Sequence, residues 1–243
     1  MTRKAILGII TLGLGLGLSA CGSQEGQVIN KFFMATKSKD NATLTGMTRV
    51  SFPEEEGEVT TWKVTQVGAE RREPFKLQEL VQNVQEVKQA RDKKNEEFIA
   101  FRDENIDDTV TIEDRLKKDA NATFKGSLAD VHATWQKHRD ERRELESQLN
   151  QAERRFEEEL ALAGMSLMGA SDTESLQSSA GDVLIKEVGV NVTLKDGKEK
   201  PYVFTLLRYA LTTPKTNRIA QARWIITDIK PKEAAAASSG GTS

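Results

Sequence analysis

Few side chains in this sequence have the chemistry of a nucleophile or a soft metal ligand: one cysteine, Cys21, and two histidines, His132 and His138. Two ligands on one helix face need a spacing of three or four residues. These histidines are six apart, so they predict no zinc site. His138 falls in a heptad frame set out below. There it is either a pH-sensitive seam residue, because imidazole changes charge near neutral pH, or a polar position that fixes register. The strand-forming segments hold neither histidine nor cysteine, which leaves them without the usual nucleophile and base. The expectation is a protein that is not an enzyme and takes no metal or cofactor; carboxylate pairs stay open, without a located site.

Cys21 has a context of its own. Arg3 and Lys4 make a short basic start, and residues 5–20 form an uncharged apolar run, too short to span a bilayer comfortably. The run ends in Leu18-Ser19-Ala20-Cys21, which resembles the lipobox of bacterial lipoproteins: Leu, two small residues, then the cysteine that is acylated. The resemblance implies that residues 1–20 are a signal peptide and that Cys21 is the lipid attachment site. It would carry a diacylglyceryl thioether and often an amide-linked acyl chain such as palmitate. A lone thiol on an exported protein is an oxidation liability, whereas acylation consumes it. Two or more acyl chains hold a protein stably at a membrane, each buried CH2 contributing about 0.8 kcal/mol. Gly13, Gly15 and Gly17 lie inside the apolar run, not between a strand and a helix as a phosphate loop requires. The lipobox resemblance implies a bacterial host, and on that expectation the sequons at Asn41, Asn121 and Asn191 read as chance matches.

The chain has 243 residues, with 35 Lys plus Arg against 37 Asp plus Glu and a net charge of -2. That balance gives no electrostatic case for nucleic acid, whose binding needs clustered basic residues. Residues 21–27 read as a polar tether reaching about 20 Å when extended. Residues 28–73 begin an α+β domain. Val28, Ile29, Phe32, Phe33 and Ala35 recur at helical spacing, Asp40 caps a second short helix carrying Leu44 and Met47, and Thr60 to Val67 has the pattern of a half-buried strand.

The character then changes to Glu, Lys, Arg, Gln and Leu, and residues 74–163 predict a coiled-coil-like helical hairpin inserted into that domain. From Pro74 to Glu104 the heptad seam runs through Leu77, Leu80, Val84, Val87, Arg91, Lys94, Phe98 and Phe101. Asn105 to Asp108 interrupt it, and Thr111 with Asp114 suggests a fresh start close to a capping box. Lys125-Gly126-Ser127 breaks the next run, with Ser127 capping a helix whose seam is Leu128, Val131, Trp135, His138, Arg142, Leu145, Leu149, Ala152, Phe156 and Leu160. Pro74 to Glu104 carries six basic and seven acidic residues, a mixed face as expected of a solvated hairpin. Residues 164–181 read as a flexible Gly/Ser/Met-rich loop. Residues 182–230 read as an antiparallel meander, with Asp196-Gly197 predicting a type I′ turn and Thr213-Pro214-Lys215 the second connection. Residues 231–243 predict a disordered tail.

The fold class expected is therefore α+β: a small curved antiparallel sheet with N-terminal helices, interrupted by a long helical hairpin. The order resembles small lipoproteins with a nuclear-transport-factor-two-like fold. The residues carrying the likeness are Val28, Phe32, Phe33, Ala35, Asp40, Leu44 and Met47, then Trp62-Lys63-Val64, and finally Arg223-Trp224-Ile225-Ile226. The resemblance implies a concave sheet, in which Phe33, Trp62, Tyr202, Phe204 and Trp224 would line a ligand cup or simply fill the core. The function expected is a lipid-anchored cell-envelope protein with a structural or protein-interaction role through its hairpin. Its partners would be the membrane and another envelope protein or a second copy of itself. One alternative is a small-ligand or lipid-binding module. Another is a protein like the efflux-type periplasmic adaptors, which also split a β-domain with a hairpin, although paired lipoyl half-motifs are missing here. Gly22, in place of the Asp associated with inner-membrane retention, points to the periplasmic face of the outer membrane in a Gram-negative host.

Overall fold

The computed structural model describes residues 22–168, 173–212 and 222–232. Residues 1–20 expected to be a signal peptide, Cys21, the Thr213-Pro214-Lys215 connection expected between strands, and the stretch beyond Lys232 expected to be a tail lie outside the described residues. The chain is α+β. Its elements are α1 (Gln24–Ser38), α2 (Asn41–Met47), a 3-10 turn (Glu54–Glu56), β1 (Val59–Val67), β2 (Arg71–Pro74), α3 (Leu77–Glu104), α4 (Ile106–Lys118), α5 (Ser127–Ser166), α6 (Thr173–Gln177), β3 (Ala180–Leu194), β4 (Glu199–Thr212) and β5 (Ile225–Pro231). The sheet is antiparallel where its registers are defined and runs β1-β3-β4-β5, with β2 also paired to β3. The chain divides into two compact units, one of Met1–Glu73, Val183–Tyr209 and Ala222–Ser243, the other of Pro74–Asp182 and Ala210–Gln221.

In the first unit, α1 starts earlier than the sequence pattern suggests. The polar stretch 24–27 is not a tether but the first turn of the helix, because the Ser23 hydroxyl caps it by accepting from Gly26 N at 3.1 Å. Hydrophobic periodicity is silent there, since the first turn of a helix is held by its cap rather than by an apolar face. At the other end, Lys39 adopts φ 56, and Asp40 N donates to Ala35 O at 2.9 Å while Lys39 N donates to Thr36 O at 3.2 Å. This is a Schellman closure built on a lysine instead of the usual glycine. Asp40 then caps α2, its carboxylate accepting from Thr43 N at 3.0 Å and from the Thr43 hydroxyl at 2.6 Å. Those bonds hold the Asp40 carboxyl below its ordinary value.

The sheet buries alternate residues of β3 (Val188, Val190, Val192, Leu194) and of β4 (Tyr202, Phe204, Leu206), the period-two pattern of a sheet with one packed face. Register irregularities lie at Val59/Thr61 and Val64/Gln66 on β1 and at Thr205/Leu206 on β4. The hairpin at Asp196-Gly197 is not type I′. Only Gly197 has positive φ (83), Gly197 N donates to Leu194 O, and Leu194 N donates to Lys198 O. This is a three-residue loop closed by a left-handed glycine. Asp196 stays out of the left-handed region, its carboxylate accepting from Lys198 N at 3.0 Å.

The second unit is an antiparallel pair, α3 with α5, carrying α4 between them. At 28 and 40 residues these helices are about 42 and 60 Å long. The expected seam positions on both helices are the buried or half-buried ones throughout. Asn105 alone breaks α3 from α4. Thr111 does not open a helix; it lies inside α4 and its hydroxyl donates to Asp107 O at 2.9 Å. Likewise Gly126 (φ 63), not Ser127, is the residue before α5, and no side chain caps that end. The expected loop at 164–181 is partly structured: α5 continues to Ser166, Thr173–Gln177 is helical with Leu176 buried, and β3 begins at Ala180. Residues 169–172 of that stretch lie outside the described residues.

Candidate functional site

The residues expected to form a cup are brought together in part. Phe33 stacks on Trp62 at 5.0 Å between centroids and meets Phe204 edge-on at 5.6 Å. Phe52 links Phe33 at 5.7 Å to Tyr202 at 5.0 Å. Phe32 completes the set against Phe33 and Phe204. The rings pack on each other, with Phe33, Tyr202 and Phe204 at 1% exposure or less. The geometry is that of an aromatic core, each edge-to-face pair adding about 0.5–1.5 kcal/mol beyond area burial. Trp62, half-buried, donates its indole N–H to Asn30 Oδ1 at 2.7 Å and so ties β1 to α1. Burial, then the facing Glu56 carboxylate, push Tyr202 up to about 12, so its phenol is neutral at any ordinary pH.

Trp224 stands apart from that cluster. Its ring is met by the Lys186 ammonium at 5.3 Å and by the Arg208 guanidinium at 4.6 Å. Lys186 is also paired at 2.6 Å with Glu25, which is only 6% exposed in the first turn of α1. Burial works against the charge on Glu25, but the Lys186 hydrogen bond and charge, with bonds from the helix start, hold its pKa below the ordinary value. Arg208 reaches Gln24 at 3.4 Å and Glu70 at 3.7 Å. The start of α1 is therefore pinned to β3 and β4 through Gln24 and Glu25, three and four residues from Cys21. Another hollow of ≈ 470 Å³ lies beside α1 and α2, lined by Phe32, Thr36, Leu44, Thr48 and Phe52 among others. It takes only Phe32 and Phe52 from the aromatic set and none of the five expected cup residues.

In the helical unit, the charged seam positions make a matched polar layer. Arg142 Nε donates to Asn95 Oδ1 at 2.6 Å, Lys94 Nζ lies 3.1 Å from Glu141, and Arg91 lies 3.7 Å from Glu146. These cross-helix pairs close the hairpin on itself within one chain. Beyond the layer, Phe98, Ile112 and Trp135 form a separate small core with Phe101, Leu116, Phe124, Leu128 and Val131 packed around it. His138 sits against Phe101 at 5.2 Å and Phe98 at 6.1 Å, its Nδ1 buried without a hydrogen-bond partner among the described residues. His132 lies 4.4 Å from Phe124, on another part of the core. The two histidines do not converge, and among the described residues no group of three or more His, Cys, Asp or Glu is placed to hold a metal.

The surface around this small core was not legible from heptads. Ile99 is 56% exposed, Ile106 56% and Val110 52%, on helices that are otherwise heavily charged. Ile106 and Val110 are four apart and so share one face of α4. The signal in the sequence was that these residues are apolar but off the seam. Among the described residues no helix is long and apolar enough to cross a membrane. Comparison with known protein families, with curated proteins and with solved structures finds no match.

Proposed function

We propose that this is a non-catalytic, lipid-anchored cell-envelope protein that docks another envelope protein through its helical unit. The anchor is Cys21, and the location is the periplasmic face of the outer membrane in a Gram-negative host. The observation that carries the docking role is the exposed apolar pair Ile106 and Val110 on one face of α4, with Ile99 also exposed on α3, in the unit that holds the Phe98, Ile112 and Trp135 core. Apolar side chains exposed together on a charged surface mark interaction sites, and the closed hairpin leaves the α3–α5 seam already occupied.

The test is photo-crosslinking in cells from a benzoyl-phenylalanine at Val110, with Gln151 on the exposed shaft as the control position. One reproducible partner from 110 and none from 151 is the expected result. Capture of the same set of proteins from both positions, or only of a second copy of the chain, overturns the docking reading. Anchoring is read separately: Cys21→Ala abolishes labelling by an alkyne fatty acid and moves the protein out of the membrane fraction. Undiminished labelling in that variant removes the anchor.

A further inference from the structure

In the helical unit, α3, α4 and α5 border an open, shallow hollow of ≈ 450 Å³ whose floor is Phe98, Leu116 and Trp135 and whose rim carries Arg102, Arg139 and Arg142. We propose that this hollow is a binding site for an organic anion: a carboxylate, sulfonate or phosphate group joined to a flat apolar body of one or two rings. The inference stands independently of the anchor and of the docking face.

Three features argue for it. First, the guanidinium groups are positioned without being neutralised. Arg139 lies over the Trp135 ring at 4.4 Å and Arg142 over the Phe98 ring at 4.6 Å. Arg142 spends only its Nε on Asn95, and among the described residues the side chains of Arg102 and Arg139 make no hydrogen bond or ion pair. This contrasts with Arg91, Lys94 and Lys117, each of which meets a carboxylate. Aromatic stacking orients a guanidinium plane while leaving its terminal N–H fork free, and that fork fits carboxylate, sulfonate or phosphate oxygens in pairs. Secondly, the charge at the rim is one-sided. The other two lining residues are Glu113 and Lys117; Lys117 is paired with Asp114 at 3.3 Å, which leaves a single carboxylate against three unpaired arginines. An anion relieves their mutual repulsion. Thirdly, the floor is apolar, and the volume falls in the range of small-molecule sites. The ligand therefore needs a body as well as a charge, which excludes a bare inorganic ion as the best occupant. Arg139 also lines two adjoining hollows, of ≈ 460 and ≈ 410 Å³, so it is the residue on which the site turns.

The experiment is calorimetric titration of the full chain, held in nanodiscs of phosphatidylcholine with empty discs as the blank. The probe is naphthalene-1-sulfonate and its comparator is the neutral 1-naphthalenemethanol. The expected result is saturable 1:1 binding of the sulfonate, at least tenfold weaker binding of the alcohol, and loss of at least tenfold in sulfonate affinity in Arg139→Gln/Arg142→Gln. Arg154→Gln, on the same helix but outside the hollow, binds as the parent does. Equal binding of the two probes, sulfonate affinity unchanged in the double variant, or no saturable sulfonate binding overturns the proposal. Helical circular dichroism checks that the double variant is folded. If it is not, the exposed Arg102→Gln carries the same comparison and is expected to weaken the sulfonate but not the alcohol.

Discussion

Two residues hold conformations or charges that their neighbours enforce, and both are open to direct measurement. Lys39 occupies the left-handed region at φ 56 to close α1, a conformation that costs an L-residue with a side chain about 1 kcal/mol relative to glycine. Lys39→Gly is therefore expected to raise stability by about 0.5–1 kcal/mol, read as a higher denaturation midpoint at unchanged slope. Glu25 is the opposite case, a nearly buried carboxylate whose charge Lys186 sustains. Its folded pKa lies below the ordinary 4.5, so its contribution is complete above that value and is lost as pH falls through the folded one. Glu25→Gln should cost about 1–2 kcal/mol at pH 7, and the gap from the parent should narrow as denaturation is repeated at successively lower pH below that ordinary value. Neither residue was marked in the sequence. Lysine at a helix end reads as an ordinary last-turn cation, and the partner of Glu25 is 161 residues away in the chain.

Among the elements, what could be read in advance is what depends on periodicity. The seams of α3 and α5, from Leu77 to Phe101 and from Leu128 to Leu160, are the buried or half-buried positions, because two long helices in contact have no other way to cover apolar stripes. Periodicity says nothing about a four-residue strand with every residue exposed, such as β2, or about a helix of five residues, such as α6. Ends are harder still: Thr111 and Ser127 are residue types that cap, but capping needs the chain to turn at that point, and it turns at Asn105 and Gly126 instead. Beside α6, Gly181 adopts φ 150, and a Cβ there would lie 2.1 Å from Ala210 O and 3.0 Å from Leu211 Cα. Backbone atoms of a neighbouring strand cannot swing aside as a side chain can. Gly181→Ala should destabilise the protein by about 2–4 kcal/mol, seen as a drop in the thermal midpoint, whereas Gly164→Ala, with nothing within 4 Å, should leave it level or slightly raised.

For the whole molecule, the organisation into two units predicts how the chain comes apart. The helical unit has its own core at Phe98, Ile112 and Trp135, so limited proteolysis should leave a protected helical fragment spanning roughly residues 75–166, identified by mass; uniform degradation with no such piece would contradict that core. The arginine-lined hollow is legible only at this scale, because Arg102 and Arg139 come from helices that the sequence separates by α4 and a connecting turn. The early start of α1 has a further consequence. Only Gly22 and Ser23 separate Cys21 from Gln24, a span of about 10 Å at full extension, and the helix that follows is locked to the sheet through Glu25 and Lys186. On the proposed acylation, the first unit has almost no leash. The anchored chain's search for a partner becomes lateral diffusion along the membrane, and the local concentration it presents is set by the membrane area and not by the volume of the compartment. Lengthening that two-residue connection should then weaken partner capture without altering either unit.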